Sequence, residues 1–110
     1  MLKEAKKALR VTATQFDSEI MALLMAGAKD LEIAGVVLPG TVSYTLDGDT
    51  VTDTSTLTDQ LAMRAIFTYA AMMFGNPPNY DRLKEAYDTQ KVQLMHADGY
   101  TDYEDGGDGE

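Results

Sequence analysis

The sequence predicts a mainly α-helical protein: a small four-helix bundle with a β-hairpin or extended loop inserted between the second and third helices, and a disordered acidic C-terminal tail. Apolar residues recur at helical spacing along two long segments. A short stretch between them alternates apolar and polar residues around an Asp-Gly turn. The last residues are acidic and rich in glycine, which is typical of disorder. We expect one helical domain over residues 1–98, with the insert at about 36–57, and a flexible tail over 99–110.

The first predicted helix runs from Leu2 to Leu9 and is amphipathic. Its polar side is basic and continues into the residue that follows the helix, so we predict a partner interface there. The predicted contact residues are Lys3, Lys6, Lys7 and Arg10. The alternative is that these bases form a solvated face. β-Branched residues over 11–14 then interrupt the helical pattern.

The second helix is predicted to begin near Thr14, whose hydroxyl would cap it together with Asp17, and to end at Gly35. Its middle is apolar almost all round, which predicts burial on more than one side. Methionines suit surfaces that repack against partners. We therefore predict Met21 and Met25 as interface residues, against the alternative that they only fill the core.

The insert begins with a half-buried strand pattern in which Val42, Tyr44 and Leu46 alternate with polar residues. Asp47-Gly48 predicts a tight hairpin turn, and a return strand to residue 53 and a loop to residue 58 follow. A lone two-stranded hairpin is marginally stable in water. This one is therefore predicted to lean on the helices or to pair with another chain, through Val42, Tyr44 and Leu46.

The third helix is predicted to begin at Thr58 or Asp59 and to end at Phe74, where glycine and prolines follow. Most of its residues are apolar. Its polar positions, Gln60, Arg64 and Thr68, lie four residues apart and form one narrow stripe. This pattern predicts the central helix of the bundle.

The fourth helix is predicted to start after a cap at Asn79 and to stop at Gly99. Lys84 with Asp88, and Asp88 with Lys91, are predicted surface ion pairs. The predicted inner face consists of Tyr80, Leu83, Tyr87 and Leu94.

Charge is distributed unevenly along the chain. The formal net charge is -9. All six charged side chains from Asp98 onward are acidic, whereas residues 1–97 carry nine bases and twelve acids. This polarity favours head-to-tail contacts between copies or docking on a basic partner. The alternative is that the acidic tail only maintains solubility.

The residue types that most enzyme chemistry requires are scarce. The chain has no cysteine, its one histidine is His96, and no glycine loop precedes a helix as a phosphate site would require. The acidic clusters at 47–53 and 102–110 do not match a calcium-binding loop. We expect no catalytic residue, no cofactor and no metal site. The longest apolar run, residues 20–28, is about half a membrane span, and we expect no secretion signal.

The second half of the chain carries four motifs that point to a family. They are Phe74-Gly75-Asn76-Pro77, Tyr80-Asp81-Arg82-Leu83, Tyr87-Asp88-Thr89-Gln90-Lys91 and Gly99-Tyr100-Thr101-Asp102-Tyr103. With the basic first helix and the long apolar second helix, they resemble the head-tail connector proteins of long-tailed bacteriophages and prophages. The resemblance extends to about Tyr103.

The resemblance implies a structural role and a helical bundle with an extended loop or hairpin. Such proteins form a homo-oligomeric ring under the portal protein, extend the DNA channel, and dock the next connector or tail protein at the virion head-tail interface. It also makes the C-terminal segment, with Tyr100 and Tyr103, a candidate partner contact. The alternative function is a small nucleic-acid-linked regulatory or packaging accessory protein that uses the basic first helix.

Overall fold

The computed structural model describes residues 1–97. Four α-helices lie in this range: α1 (Leu2–Leu9), α2 (Asp17–Ile33), α3 (Gln60–Met73) and α4 (Tyr80–His96). The strands β1 (Tyr44–Asp47) and β2 (Thr50–Asp53) form an antiparallel hairpin between α2 and α3. The predicted helical fold with an inserted hairpin is confirmed. The predicted tail lies outside the described residues, and the domain boundary at residue 98 stays a prediction.

Helix α1 ends as the sequence predicts, but on an unusual residue. Arg10 has the left-handed backbone conformation, with φ 59°, that glycine adopts most readily. The Val11 amide donates to the Lys6 carbonyl at 2.9 Å and the Arg10 amide donates to that of Lys7. These two bonds close the helix in the manner of a Schellman motif.

The predicted cap of α2 is wrong. Thr14 lies in a short 3₁₀ helix (Thr14–Phe16), the N-cap position of α2 is Phe16, and no side chain caps it. Asp17 instead accepts an ion-paired hydrogen bond from the Lys6 ammonium at 2.7 Å. The long-range partner outcompetes the local capping box. The predicted stop at Gly35 is confirmed, since Gly35 has φ 99° and follows the C-cap.

One broad face of α2 is buried, rather than the several sides that the sequence predicts. Its buried positions recur at helical spacing from Ile20 to Leu31. Met25, at the edge of this face, is 41% exposed, and Ile33 at the helix end is 76% exposed. Part of the apolar surface of α2 is therefore not covered within one chain.

Hydrogen bonds continue the hairpin beyond its strands through residues 41–43 and 54–57, here called the stalk. Leu46 pairs with Val51 in the antiparallel register. Below the strands, the Thr54 amide donates to the Ser43 carbonyl and the Thr56 amide to that of Thr41, both at 2.9 Å. The first strand therefore begins two residues later than the predicted start at Val42. Val42 is nevertheless buried, and it anchors the stalk in the core.

Helix α3 is the central helix, as predicted, because it packs against α1, α2 and α4. Asp59 is its N-cap and accepts a hydrogen bond from the Ala62 amide at 2.9 Å. Gln60 and Arg64 are exposed and Thr68 is half-buried, which agrees with the predicted polar stripe.

Helix α4 completes the bundle with a partly different inner face. Tyr87 and Leu94 are buried as predicted, whereas Tyr80 is exposed, so its assignment to the inner face is wrong. Lys84 pairs with Asp88 at 3.0 Å. Lys91 pairs with Asp30 of α2 at 3.3 Å rather than with Asp88.

The hydrophobic core lies between the four helices and the foot of the hairpin. Its largest fully buried side chains are Ile20, Met21, Leu24, Leu31 and Ile66. No polar or charged residue among those described is buried. The core thus consists of apolar packing, and the polar contacts that orient the elements lie at its edge.

Candidate assembly surfaces

The bases of α1 line an open depression with an apolar floor, here called the basic pocket. Its volume is about 630 Å³, and it contains Leu2, Lys3, Lys6, Lys7, Arg10, Val11, Thr12 and Asp17. All four predicted basic contact residues are thus brought together in one place. Leu2 and Val11 are half-buried and pack against the core, so the pocket floor is rigid.

The four bases of this pocket are not equivalent. Lys6 is half-buried and neutralised by Asp17, whereas Lys3, Lys7 and Arg10 are exposed. No ion pair within residues 1–97 involves any of these three. The left-handed Arg10 backbone costs on the order of 1 kcal/mol relative to glycine. The net charge that the pocket offers an incoming group therefore comes from Lys3, Lys7 and Arg10.

The hairpin presents fewer residues than the sequence predicts. Val42 is buried in the core and Tyr44 is half-buried against it. Leu46 lies two residues further along the same strand and is 54% exposed. Since alternate strand residues share a face, Leu46 continues the face of Tyr44 beyond the edge of the helices. Of the three predicted hairpin contacts, Leu46 is the one open to another chain.

The two predicted methionine contacts lie one turn apart on α2 but differ in burial. Met21 is fully buried in the core, so it cannot reach a second chain in this conformation. Met25 lines an open groove of about 500 Å³ between α2 and the stalk, together with Leu38 and Val42. Lys29 and Glu32 also line this groove. Val37, which is exposed, adds to the apolar surface at the same end of α2.

A further apolar surface was not predicted from the sequence. Leu61 at the start of α3 is 54% exposed. It lines an open groove of about 590 Å³ with Ala8 of α1, Phe67 and Leu83. A usable signal was present, since Leu61 lies between Gln60 and Arg64 of the polar stripe. At helical spacing, that position borders the solvent-facing side.

Asp53 fastens α1 to the hairpin. Its carboxylate accepts hydrogen bonds from the Met1 amino group and the Leu2 amide, both at 2.7 Å, and from the Ser55 amide at 2.9 Å. Burial alone would raise the pKa of this carboxyl group, but the hydrogen bonds outweigh it and hold the pKa well below its ordinary value. Partial burial alone would lower the pKa of the Met1 amino group. The hydrogen bonds and negative charges of Asp53 and Glu4 outweigh burial, so this pKa is raised. The basic pocket and the hairpin are thereby held in one orientation.

A second polar cluster links α2 to α4. The Tyr87 hydroxyl donates to the Asp30 carboxylate, and the Lys91 ammonium pairs with the same carboxylate while lying 5.2 Å from the Tyr87 ring centre. Burial, followed by the Asp30 acceptor, raises the pKa of the Tyr87 hydroxyl. Tyr69 of α3 contacts the Tyr87 ring edge-to-face. We interpret this cluster as a structural clamp.

Among residues 1–97, no group of side chains has the composition and spacing of a metal site. His96 is exposed at the end of α4, and no three His, Cys, Asp or Glu side chains in this range lie close enough to hold a metal ion. Of the helices formed by these residues, none combines the length and apolar composition that a membrane crossing requires. Tyr100 and Tyr103, the remaining predicted contact residues, lie outside the described range.

Comparison with known proteins gives one match. A family model described as a phage connector protein matches residues 1–101. Neither the curated proteins nor the solved structures contain a match. The matched range includes every described element, from the basic α1 to the end of α4.

Proposed function

The chain belongs to the phage connector protein family, and from this premise we propose that copies of it form a ring that docks on the portal protein and extends the DNA channel toward the tail. Membership implies a structural role in the head-tail region of a virion, together with other head and tail proteins. The ring, the portal and the channel are our proposal.

The observation that carries this proposal is the exposed apolar surface of the isolated chain. Leu46 of the hairpin, Leu61 of α3, and Met25 and Ile33 of α2 are exposed, and Leu61 and Met25 each line an open groove. An apolar groove open to solvent is a candidate contact surface for another chain. A ring subunit needs a surface for each neighbour and another for the next component along the axis.

The charge of the chain agrees with a channel through which DNA slides. The formal net charge is -9. Tight DNA binding depends on bases that neutralise phosphates, and this chain offers three unpaired bases around one pocket, Lys3, Lys7 and Arg10. We propose that DNA passes without sequence-specific binding. We also propose that no cofactor, small-molecule substrate or catalytic step is involved.

The second candidate function is a nucleic-acid-linked accessory role, which the basic pocket favours. Its apolar floor and the overall acidic charge favour a protein ligand instead. A salt-dependent mobility shift with duplex DNA that disappears on Lys7→Glu substitution would support the accessory role. We expect no shift at low salt.

Mixing the purified chain with the portal protein of the phage or prophage that encodes it tests the proposal. Light scattering during size-exclusion chromatography should show a complex with several copies of this chain per portal. Leu46→Asp should weaken the complex, whereas Thr45→Asp, at an exposed position on the other face of the same strand, should not. A chain that stays monomeric and elutes apart from the portal would contradict the proposal.

A further inference from the structure

The basic pocket combines unpaired positive charge with apolar lining residues. Three unpaired bases, Lys3, Lys7 and Arg10, surround a floor formed by Leu2 and Val11. A ligand that fits must carry several negative charges and at least one apolar or aromatic group. A nucleic acid backbone meets the first requirement but places no apolar group on the floor.

The chain itself contains a segment with that chemistry. From residue 98 onward it carries six acids and no base, and two tyrosines are interleaved with them. The central part is Tyr100, Thr101, Asp102, Tyr103, Glu104 and Asp105. Tyrosine rings pack on apolar floors and attract neighbouring ammonium and guanidinium groups, while the carboxylates pair with the same cations.

We propose that the basic pocket of one copy binds the acidic segment of residues 100–105 of a neighbouring copy. This inference rests on the proposed ring, because a ring requires each subunit to present two different, complementary surfaces. The pocket and the acidic segment come from opposite ends of the sequence and carry opposite charge, so they can serve as such a pair of surfaces. Repeated from copy to copy, the contact closes a head-to-tail ring.

The placement of the helices favours a neighbour over the same chain. The pocket is lined only by residues of α1 and of the following segment to Asp17. Ala97, the last described residue, instead lines a pocket with Leu61 and Arg64 of α3 and with residues of α4. When extended, residues 98–102 span at most about 18 Å and residues 98–105 at most about 29 Å. This reach is shorter than the 49 Å and 32 Å dimensions of the subunit, so we expect the segment to contact a copy that packs beside the end of α4.

The absence of cysteine in the chain allows a direct test by disulfide formation. One full-length chain carries Lys7→Cys and another carries Asp102→Cys. The two are mixed, alone and with the portal, and oxidised, and the dimer is quantified on non-reducing gels. We expect disulfide dimers to form roughly tenfold faster than in a mixture of Arg82→Cys with Asp102→Cys, because docking raises the local thiol concentration. Arg82 is an exposed base on α4 and is the matched control.

Several results would overturn the inference. Equal rates of disulfide formation for Lys7→Cys and Arg82→Cys with Asp102→Cys would show that the thiols meet by random collision. A Lys7→Cys/Asp102→Cys double variant that closes only within single chains would assign the pocket to the chain's own tail. If duplex DNA protects the thiol of the Lys7→Cys variant and no dimer forms, the pocket binds nucleic acid instead. If the two variants assemble on the portal but no disulfide forms between the Lys7→Cys and Asp102→Cys positions, this inference is wrong while the proposed function stands.

Charge exchange provides a second test without cysteine. Lys7→Glu should reduce assembly several-fold, and combination with Asp102→Lys in the same chain should restore it. As a control, the circular dichroism spectra of both variants should match that of the unmodified chain, which would show that the fold is retained. Failure of the second substitution to restore assembly would contradict a direct contact between the two sites.

Discussion

At the scale of single residues, Asp53 has the largest organising effect. One carboxylate accepts hydrogen bonds from the N-terminal amino group, from the first amide of α1 and from the turn after β2. These contacts join segments about fifty residues apart in sequence. No local sequence pattern indicates such a partner, which is why the sequence predicted the hairpin but not its attachment to α1.

Asp53→Asn should reveal this attachment through pH dependence. At pH 7 the substitution should lower the free energy of unfolding by about 1–3 kcal/mol. Because the pKa of Asp53 is lowered on folding, its contribution is present above the ordinary value of 3.8 and is lost as pH falls below it. Because the pKa of the Met1 amino group is raised on folding, its contribution is present below the ordinary value of 8.0 and is lost as pH rises through the raised value. The difference between the variant and the unmodified chain should therefore narrow at both extremes, although the Leu2 and Ser55 amides still donate to Asp53 at high pH.

Urea unfolding measured from pH 2 to pH 10 checks this expectation. Asp49→Asn is the control, because Asp49 is an exposed acid in the hairpin turn. Asp49→Asn should have nearly the same free energy of unfolding as the unmodified chain at every pH. A constant difference between Asp53→Asn and the unmodified chain at all pH values would contradict the ion-paired role of Asp53.

Tyr87 provides a second expectation at this scale. Tyr87→Phe removes the hydroxyl that donates to Asp30 while retaining the buried ring. The free energy of unfolding should fall by about 0.5–1.5 kcal/mol. Tyr80→Phe, at an exposed tyrosine on the same helix, should have no effect in the same urea titration. Equal effects of the two substitutions would show that the Asp30 contact does not stabilise the fold.

Two of the four predicted helix starts, those of α2 and α4, depended on cap chemistry, and neither predicted side-chain cap forms. The start of α3 was predicted without a cap, yet the Asp59 carboxylate accepts a hydrogen bond from the Ala62 amide. The Thr14–Asp17 cap fails because Lys6 binds Asp17. Asn79 occupies the N-cap position of α4, but its side chain makes no capping hydrogen bond. Residue preference locates helix ends, while tertiary partners decide which side-chain bonds form.

The two N-caps form a matched pair for experiment. Asp59→Ala should lower the free energy of unfolding by about 0.5–2 kcal/mol, because the Ala62 amide loses its acceptor. Asn79→Ala should have a much smaller effect, because no side-chain hydrogen bond is lost. Thermal unfolding followed by circular dichroism compares them. A larger loss from Asn79→Ala than from Asp59→Ala would contradict the assigned caps.

Helical spacing predicted where α3 lies but not every residue that it exposes. Ile66 and Leu61 are both aliphatic residues of this helix, yet Ile66 is fully buried and Leu61 is 54% exposed. The difference arises from how α1 and α4 cross α3, which depends on the packing of the whole bundle. The same limit applies to Met21 and Met25, which the sequence treated alike.

At the scale of the whole molecule, the chain folds around one apolar core and leaves apolar surface on the hairpin, α2 and α3. The apolar second helix and the isolated hairpin predicted contacts beyond one chain. Motifs in the second half of the sequence predicted the family. The sequence did not predict the basic pocket, because the pocket arises from the fold of 2–17 around Leu2 and Val11. These uncovered surfaces and the family membership support an assembly role.

The most direct measurement of that role is electron microscopy of particles produced by the encoding phage or prophage after deletion of this gene. We expect capsids and complete tails that remain unattached. Addition of the purified chain should restore joined, infectious particles. Leu46→Asp protein should restore fewer particles than Thr45→Asp protein. Intact infectious virions assembled in the absence of the chain would contradict its role as a connector.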